Sequence, residues 1–197
     1  LFRILKYIKR NPVPIMVLGL LLLITWYLSS NYVPKDAYSA SRISSESSGI
    51  SYSIDTYDDY GDYLSNVSSR GINISIDQFW DYDNNIKGKH DIAKLETNDG
   101  TIETSDSYVV AYPKSLNFLK YKQGKAPYAN GLVKENKLKY NKILIIKTNL
   151  GRPIISFYGY SIQQKYCTID NSKVFIVDDR LVYVYKGEFS IIDGSLF

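Results

Sequence analysis

A run of uncharged, mostly apolar residues near the start of the chain constrains the fold more than any other feature. Residues 13–28 read VPIMVLGLLLLITWYL, and no charged residue occurs from Pro12 to Tyr32. A helix needs about 20 such residues to cross the hydrocarbon core of a bilayer. The sequence therefore predicts a transmembrane helix over residues 12–32. The side chains predicted to anchor it are Val13, Ile15, Leu18, Leu21, Leu22, Ile24, Trp26 and Tyr27.

The residues on either side of this run predict its orientation. Trp26, Tyr27 and Tyr32 gather at its far end, where aromatic rings favour the interface between lipid and water. The near flank, residues 1–11, holds basic residues and no acidic one, which is typical of a cytoplasmic flank. Its basic residues are Arg3, Lys6, Lys9 and Arg10. We therefore expect a single-pass membrane protein with its C-terminal domain opposite the cytoplasm, in a bacterial cell envelope or an internal membrane of a virion.

Two other interpretations of the apolar run stay open. A secretory signal peptide also has a basic start and an apolar run, and Ala37-Tyr38-Ser39 would serve as its small-residue cleavage site. A helix of this kind can also be buried in a protein core. The length of the run and its aromatic end favour a membrane anchor over both.

The composition changes twice after the apolar run. Residues 33–53 are rich in Ser and small polar residues and poor in large apolar side chains, so they predict a stalk or linker. Residues 54–69 are acidic and rich in tyrosine. This second segment predicts either a short helix or a loop that packs its tyrosines on the domain.

From residue 72 onward the pattern is mostly that of β-strands. Ile72, Ile74 and Ile76 alternate with polar residues, which is the period of a half-buried strand. Residues 142–148, KILIIKT, form an apolar run between lysines and predict a central strand. The fold class predicted is mainly β, with one N-terminal transmembrane helix followed by one antiparallel β-sandwich or barrel-like domain over residues 54–197.

The formal charge of +4 conceals an uneven distribution. Residues 1–35 carry +5, residues 36–106 carry −9 and residues 107–197 carry +8. Lysines with interleaved tyrosines between residues 114 and 152 predict either a solvated face or a docking surface for an acidic neighbour or a second copy. Nucleic-acid binding is not expected, because the other half of the domain is acidic. The residues predicted for partner binding are Lys120, Tyr121, Lys122, Tyr128, Lys137, Lys139 and Tyr140.

The residue counts exclude several kinds of site. With one cysteine and one histidine, the chain forms no internal disulfide and no zinc site built on several thiolates or imidazoles. Asp81, Asp83 and Asn85 follow the D-x-D-x-N pattern that opens a calcium loop, but Ile86 and Ile92 stand where an EF-hand needs Gly and Glu. The string predicts a solvated acidic turn, with a nonstandard calcium site as the alternative. No cofactor is expected.

Cysteine-based catalysis would have to use Cys167, His90 and Arg180. Sortase transpeptidases combine Cys, His and Arg on a membrane-anchored β-barrel, and this chain resembles them in size and topology. The resemblance implies a transpeptidase or hydrolase with Cys167 as its nucleophile. The local sequence differs, because Cys167 lies in Gln-Lys-Tyr-Cys-Thr where sortases have a Thr-x-Thr-Cys strand end. The competing interpretation is a buried structural cysteine and a surface histidine.

No other catalytic motif is present, since the chain has neither a Gly-x-Ser-x-Gly elbow nor a glycine-rich phosphate loop. We expect a non-enzymatic structural or interaction subunit that tethers a bilayer to neighbouring proteins or to further copies of itself. A minor capsid or envelope component of a large DNA virus and a bacterial envelope subunit are the two settings. An extracytoplasmic binding or sensor module is the alternative. Asn66 and Asn73 begin glycosylation sequons, and no small-molecule substrate is identified.

Overall fold

The computed structural model describes residues 13–30, 32–80, 89–97, 100–121 and 140–193. The chain divides into two compact units, Leu1–Lys35 and Asp36–Phe197. The helices are α1 (Val13–Ser30) in the first unit and α2 (Ala40–Ser47) in the second. The strands are β1 (Ser51–Tyr57), β2 (Tyr63–Arg70), β3 (Asn73–Trp80), β4 (Lys89–Thr97), β5 (Gly100–Thr104), β6 (Tyr108–Pro113), β7 (Asn117–Lys120), β8 (Lys142–Lys147), β9 (Pro153–Gly159), β10 (Ile162–Lys165), β11 (Ser172–Val177), β12 (Arg180–Tyr185) and β13 (Glu188–Asp193).

Helix α1 forms from the apolar run that dominates the sequence. Its described side chains, from residue 16 to residue 29, are all exposed, so its apolar surface continues around the whole helix. The predicted transmembrane span of residues 12–32 is not supported. Helix α1 has 18 residues and rises about 27 Å, against a hydrocarbon core of about 30 Å. No helix in the described ranges is long and apolar enough to cross a membrane, so the single-pass topology is not supported either.

The structure describes the residues predicted to anchor the helix but not those predicted to orient it. All eight predicted anchor residues, from Val13 to Tyr27, lie within α1. The four basic residues that were to set the topology precede residue 13 and so lie outside the described residues. The helix itself is thus found where the sequence predicts one, although it is shorter than predicted.

Residues 33–53, which the sequence predicts as a stalk, contain helix α2 and the first residues of β1. Ser39 caps α2 by accepting a hydrogen bond from the backbone N–H of Arg42 at 3.3 Å. Ile43, in the middle of α2, is fully buried. Ser51 begins β1, whose next six residues are all buried. Serine residues are favoured at helix caps as well as in linkers, so the composition alone did not distinguish the two.

The strands form three antiparallel sheets. The six-stranded sheet has the order β10-β11-β12-β6-β1-β2, the four-stranded sheet β13-β8-β9-β7, and the three-stranded sheet β3-β4-β5. The mainly β, antiparallel fold class is therefore confirmed. Residues 54–69, predicted as a short helix or a loop, instead form most of β1 and β2, which are paired from Ser51 with Arg70 to Tyr57 with Tyr63.

The core consists of two main buried clusters on opposite faces of the six-stranded sheet. One cluster packs side chains of β1, β6, β11 and β12 against β8 and β9 of the four-stranded sheet. The other packs the opposite face of the same sheet against α2 and the three-stranded sheet. The six-stranded sheet is therefore a central layer, which explains why β1, β6 and β12 are buried on both faces.

Two tight turns connect the last three strands. Asp178 and Asp179 have positive φ angles of 45° and 62°, and Lys186 and Gly187 have φ angles of 59° and 87°. Two consecutive residues with positive φ match the twist of an antiparallel hairpin. The first turn joins the paired strands β11 and β12, whereas the second carries the chain from the six-stranded sheet to the four-stranded sheet.

A substitution in α2 tests whether this segment is part of the folded unit. We expect Ile43→Ala to lower the free energy of unfolding by about 2–4 kcal/mol, because the side chain is fully buried and its loss leaves a cavity. Ser45→Ala, on the exposed side of the same helix, should change it by less than about 0.5 kcal/mol. Urea unfolding of the full chain measures both. Equal values for the two variants would contradict the packing of α2.

Candidate functional site

Asp55 is a fully buried carboxylate in the central sheet, with a relative exposure of 0%. It lies on β1, where successive side chains point to opposite faces, so it faces the same side as Ser53 and Tyr57. Burying a carboxylate is costly unless several donors or an opposite charge compensate for the lost water. The side chains around Asp55 supply both.

Four side chains donate hydrogen bonds to the two oxygens of Asp55. Oδ2 accepts from the Tyr112 hydroxyl at 2.8 Å and from the Tyr57 hydroxyl at 3.3 Å. Oδ1 accepts from Asn66 Nδ2 at 2.5 Å. Lys120 Nζ lies 3.0 Å from Oδ1 and 2.8 Å from Oδ2, and it forms an ion pair with the carboxylate. We name these five residues the Asp55 cluster.

The surroundings keep both tyrosines of the cluster protonated. Burial raises the pKa of Tyr57, and the negative charge of Asp55 raises it further. Burial also raises the pKa of Tyr112, although a hydrogen bond with Ser53 acts in the opposite direction. Both hydroxyls therefore remain donors to the carboxylate at neutral pH.

Lys120 connects two sheets. It is the last residue of β7, an outer strand of the four-stranded sheet, whereas Asp55 belongs to the six-stranded sheet. Its Nζ also lies 5.2 Å from the ring centre of Tyr63 and 5.9 Å from that of Phe118. The Lys120 side chain is 34% exposed. The ammonium group thus lies at the opening between the two sheets, with its charge paired to a carboxylate that is shielded from solvent.

Exposed aromatic rings lie beside this opening and in the turn between β1 and β2. Tyr63 is 49% exposed and Phe118 is 39% exposed. Tyr60 is also exposed, and the Arg152 guanidinium lies 5.4 Å from its ring centre and donates to its carbonyl oxygen at 3.3 Å. Aromatic residues and Arg are enriched at protein interfaces, where cations over ring faces add affinity. We name Tyr60, Tyr63, Phe118, Lys120 and Arg152 the aromatic edge.

Strand β2 is the outer strand of the six-stranded sheet beside the aromatic edge. Among the described strands it pairs with β1 alone, and Leu64 is 55% exposed. Strand β2 contains no acidic residue and no proline, and its one charged residue is Arg70 at its end. The outer strands β7 and β10 have only four residues each, and β3, β5 and β13 contain acidic residues. Shortness and charge protect edges from pairing, so β2 is the described edge best suited to accept a partner strand.

The structure describes three of the seven residues predicted for partner binding. Lys120 lies on the aromatic edge. Tyr121 and Tyr140 are 8% and 6% exposed, so they are core residues, because their rings pack into the interior instead of standing among solvated lysines. Burial accordingly raises the pKa of Tyr121. The remaining four lie outside the described residues: Lys122, Tyr128, Lys137 and Lys139.

The three residues of the cysteine hypothesis lie on different elements. His90 is in β4, where its backbone pairs with Phe79, and Arg180 is the exposed first residue of β12. Cys167 is half-buried beside Tyr38, with which it forms an isolated β-bridge. Burial raises the pKa of the Cys167 thiol, whereas a nucleophilic cysteine needs its pKa lowered. Burial of Cys167 therefore favours the protonated thiol over the thiolate.

The other sites suggested by the sequence can be placed in part. Outside the described residues lie the calcium candidates Asp81, Asp83 and Asn85. Within the described part of the chain, no three His, Cys, Asp or Glu side chains are close enough to hold a metal ion. In the first sequon, Asn66 Nδ2 donates to Ser53 Oγ at 2.6 Å as well as to Asp55, so a glycan there would disrupt the cluster. In the second, Asn73 Nδ2 donates to exposed Glu96 at 3.3 Å.

The Asp55 cluster was not predicted from the sequence, although a weak signal is present. The segment from Ser51 to Tyr57, SYSIDTY, has the high content of Tyr, Ile and Thr that is typical of a strand. An acidic residue inside such a strand needs a partner. The partner, Lys120, is 65 residues away, so no local pattern relates the two.

Fold and site together define a layered antiparallel β domain with a lysine–carboxylate pair between two of its sheets. The chain belongs to the family described as Domain of unknown function (DUF5052), which it matches over residues 15–197. The matched region includes α1 from residue 15 onward and the whole Asp55 cluster. No curated protein and no solved structure is significantly similar to the chain.

Removing the carboxylate tests how much the cluster stabilises the fold. We expect Asp55→Ala to lower the free energy of unfolding by about 3–5 kcal/mol, because it leaves the buried donors and the Lys120 ammonium without their acceptor. Asp59→Ala removes the same group from an exposed position and should cost less than about 0.5 kcal/mol. Urea unfolding measures both. A loss below about 1 kcal/mol for Asp55→Ala would show that the cluster is dispensable.

Proposed function

We propose that the chain is a non-enzymatic structural or interaction subunit of a larger assembly. Helix α1 attaches it to a membrane, and the unit of residues 36–197 docks neighbouring proteins. The observation that carries this proposal is that the described side chains of α1 expose an apolar surface on all sides of the helix. The matched family has no assigned function, so the proposal depends on the geometry of the two units.

The attachment follows from the surface of α1. Its exposed apolar side chains include Met16 at 72%, Leu22 at 62% and Trp26 at 68%. A helix that is apolar on all sides is stable in water only when lipid or protein covers it. The basic flank of residues 1–11 and the aromatic residues at the other end favour lipid, because each matches the composition found at a membrane surface.

The docking role follows from the aromatic edge and β2. Rigid aromatic side chains supply contact area with little loss of conformational entropy. The adjacent outer strand β2, which has no acidic residue, offers backbone N–H and C=O groups to a neighbour. An envelope of a bacterium or a large DNA virus would suit such a subunit, because both require proteins that join a membrane to a protein layer.

A charge placed in α1 tests the attachment. We expect Leu22→Lys to reduce the fraction of full chain that floats with phosphatidylcholine vesicles by at least tenfold. Placing a lysine at the centre of a helix that is inserted in lipid costs about 2.5–3.5 kcal/mol of insertion free energy. Ser29→Lys places the same charge near the helix end, where the side chain reaches water, and should float nearly as well as the unmodified chain. Equal flotation of the two variants would refute attachment through α1.

A charge placed on β2 tests the docking role. We expect the chain extracted from its native membrane in mild detergent to have a mass by light scattering well above that of one chain, and Leu64→Lys to reduce it to one chain. Tyr166→Lys, at a side chain 53% exposed beside the opposite outer strand, should retain the larger mass. Docking through β2 is wrong if the unmodified chain is monomeric or if the two variants behave alike.

A further inference from the structure

We propose that Lys120 and Asn66 form an intramolecular isopeptide bond in the folded chain, with Asp55 as the catalytic residue that moves the proton. The proposal concerns chemistry inside the unit of residues 36–197, so it stands whether or not the chain attaches to a membrane. It assigns the Asp55 cluster a covalent reaction in addition to its contribution to stability.

The geometry brings the two reacting side chains to one oxygen atom. Lys120 Nζ lies 3.0 Å from Asp55 Oδ1, and Asn66 Nδ2 lies 2.5 Å from the same atom. The two nitrogens are therefore no farther apart than the sum of these distances. The flexible four-carbon stem of a lysine lets Nζ move from the carboxylate to the adjacent Cγ of Asn66 with a change in side-chain torsions.

The reaction balances without any other reagent. Asp55 accepts a proton from the Lys120 ammonium, which leaves a neutral amine with a free electron pair. The amine attacks Asn66 Cγ, so the Nζ–Cγ bond forms as the Cγ–Nδ2 bond breaks. Asp55 returns its proton to Nδ2, which departs as one ammonia molecule. The second proton that Nζ loses on becoming an amide passes to the Asp55 carboxylate and from there to solvent, which regenerates the carboxylate.

The surroundings hold the reacting groups together. Asp55 is fully buried, so the proton carrier is shielded from bulk water. The rings of Tyr57, Tyr63 and Tyr112 lie around the reacting groups. Asn66 donates from Nδ2 to both Ser53 and Asp55, which holds the leaving nitrogen next to the proton carrier. Asn66 is on the exposed strand β2, so ammonia has a short route to solvent.

The bond would link the outer strands β2 and β7 of two different sheets. A chain with a single cysteine forms no internal disulfide, and an amide link provides a covalent connection that reducing agents do not break. It would close the domain at the opening between the sheets, where Lys120 is 34% exposed.

The mass of the intact chain tests the proposal. We expect most of the purified full chain to be lighter than its sequence by about 17 Da, the mass of one ammonia molecule, and proteolysis to release a branched peptide joining Lys120 to Asn66. Lys120→Arg keeps the positive charge beside Asp55 but has no nucleophilic amine, so it should have the mass of its sequence. This control also excludes loss of ammonia at Asn130-Gly131, which would persist in the variant.

Three results would overturn the proposal. The first is an unmodified chain with the mass of its sequence. The second is a loss of about 18 Da, one water molecule, with a peptide joining Lys120 to Asp55. The third is a loss of ammonia that persists in Lys120→Arg. If that variant does not fold, the presence or absence of the branched peptide in the unmodified chain decides the question alone.

Discussion

The carboxylate of Asp55 has no access to water, and the surrounding elements are arranged so that its charge is compensated. Donors from its own strand, from β6 and from β2 satisfy three of its hydrogen bonds. The opposite charge comes from Lys120 on the facing sheet. Because the cost of an unpaired buried charge exceeds the usual gain from a hydrogen bond, this pair fixes how the edges of the two sheets meet.

The same requirement explains the aromatic edge. A lysine that reaches inward to a buried carboxylate must pass between the ends of two sheets, and apolar rings beside its stem limit the entry of water. Tyr63 and Phe118 lie around the Lys120 ammonium and remain about half exposed themselves. A surface suited to docking is thus a consequence of how the interior charge is compensated, since the rings that shield Lys120 also face solvent.

The strands with strong local signals were predictable, whereas the elements that depend on distant partners were not. Residues 142–148 predicted a central strand, and β8 does lie between β13 and β9. Its apolar side chains, Leu144 and Ile146, pack in the buried cluster against the six-stranded sheet. The Ser-rich segment was predicted as a stalk because composition does not report that Ile43 meets a sheet made of residues far along the chain. Asp55 was missed for the same reason, since its partner Lys120 lies beyond the reach of local patterns.

An exposed outer strand that accepts a partner is also the strand from which a load would begin to unfold the domain. A partner paired with β2 would pull on a strand that the described sheet holds by β1 alone, and such hydrogen bonds break one after another from an end. Asn66 lies in the middle of β2 and donates to Asp55 on β1. This hydrogen bond resists the separation of β2 from β1 at the midpoint of the strand. A covalent link from Asn66 to Lys120 would pass the load to the second sheet, which would make β2 and the Asp55 cluster mechanically dependent on each other.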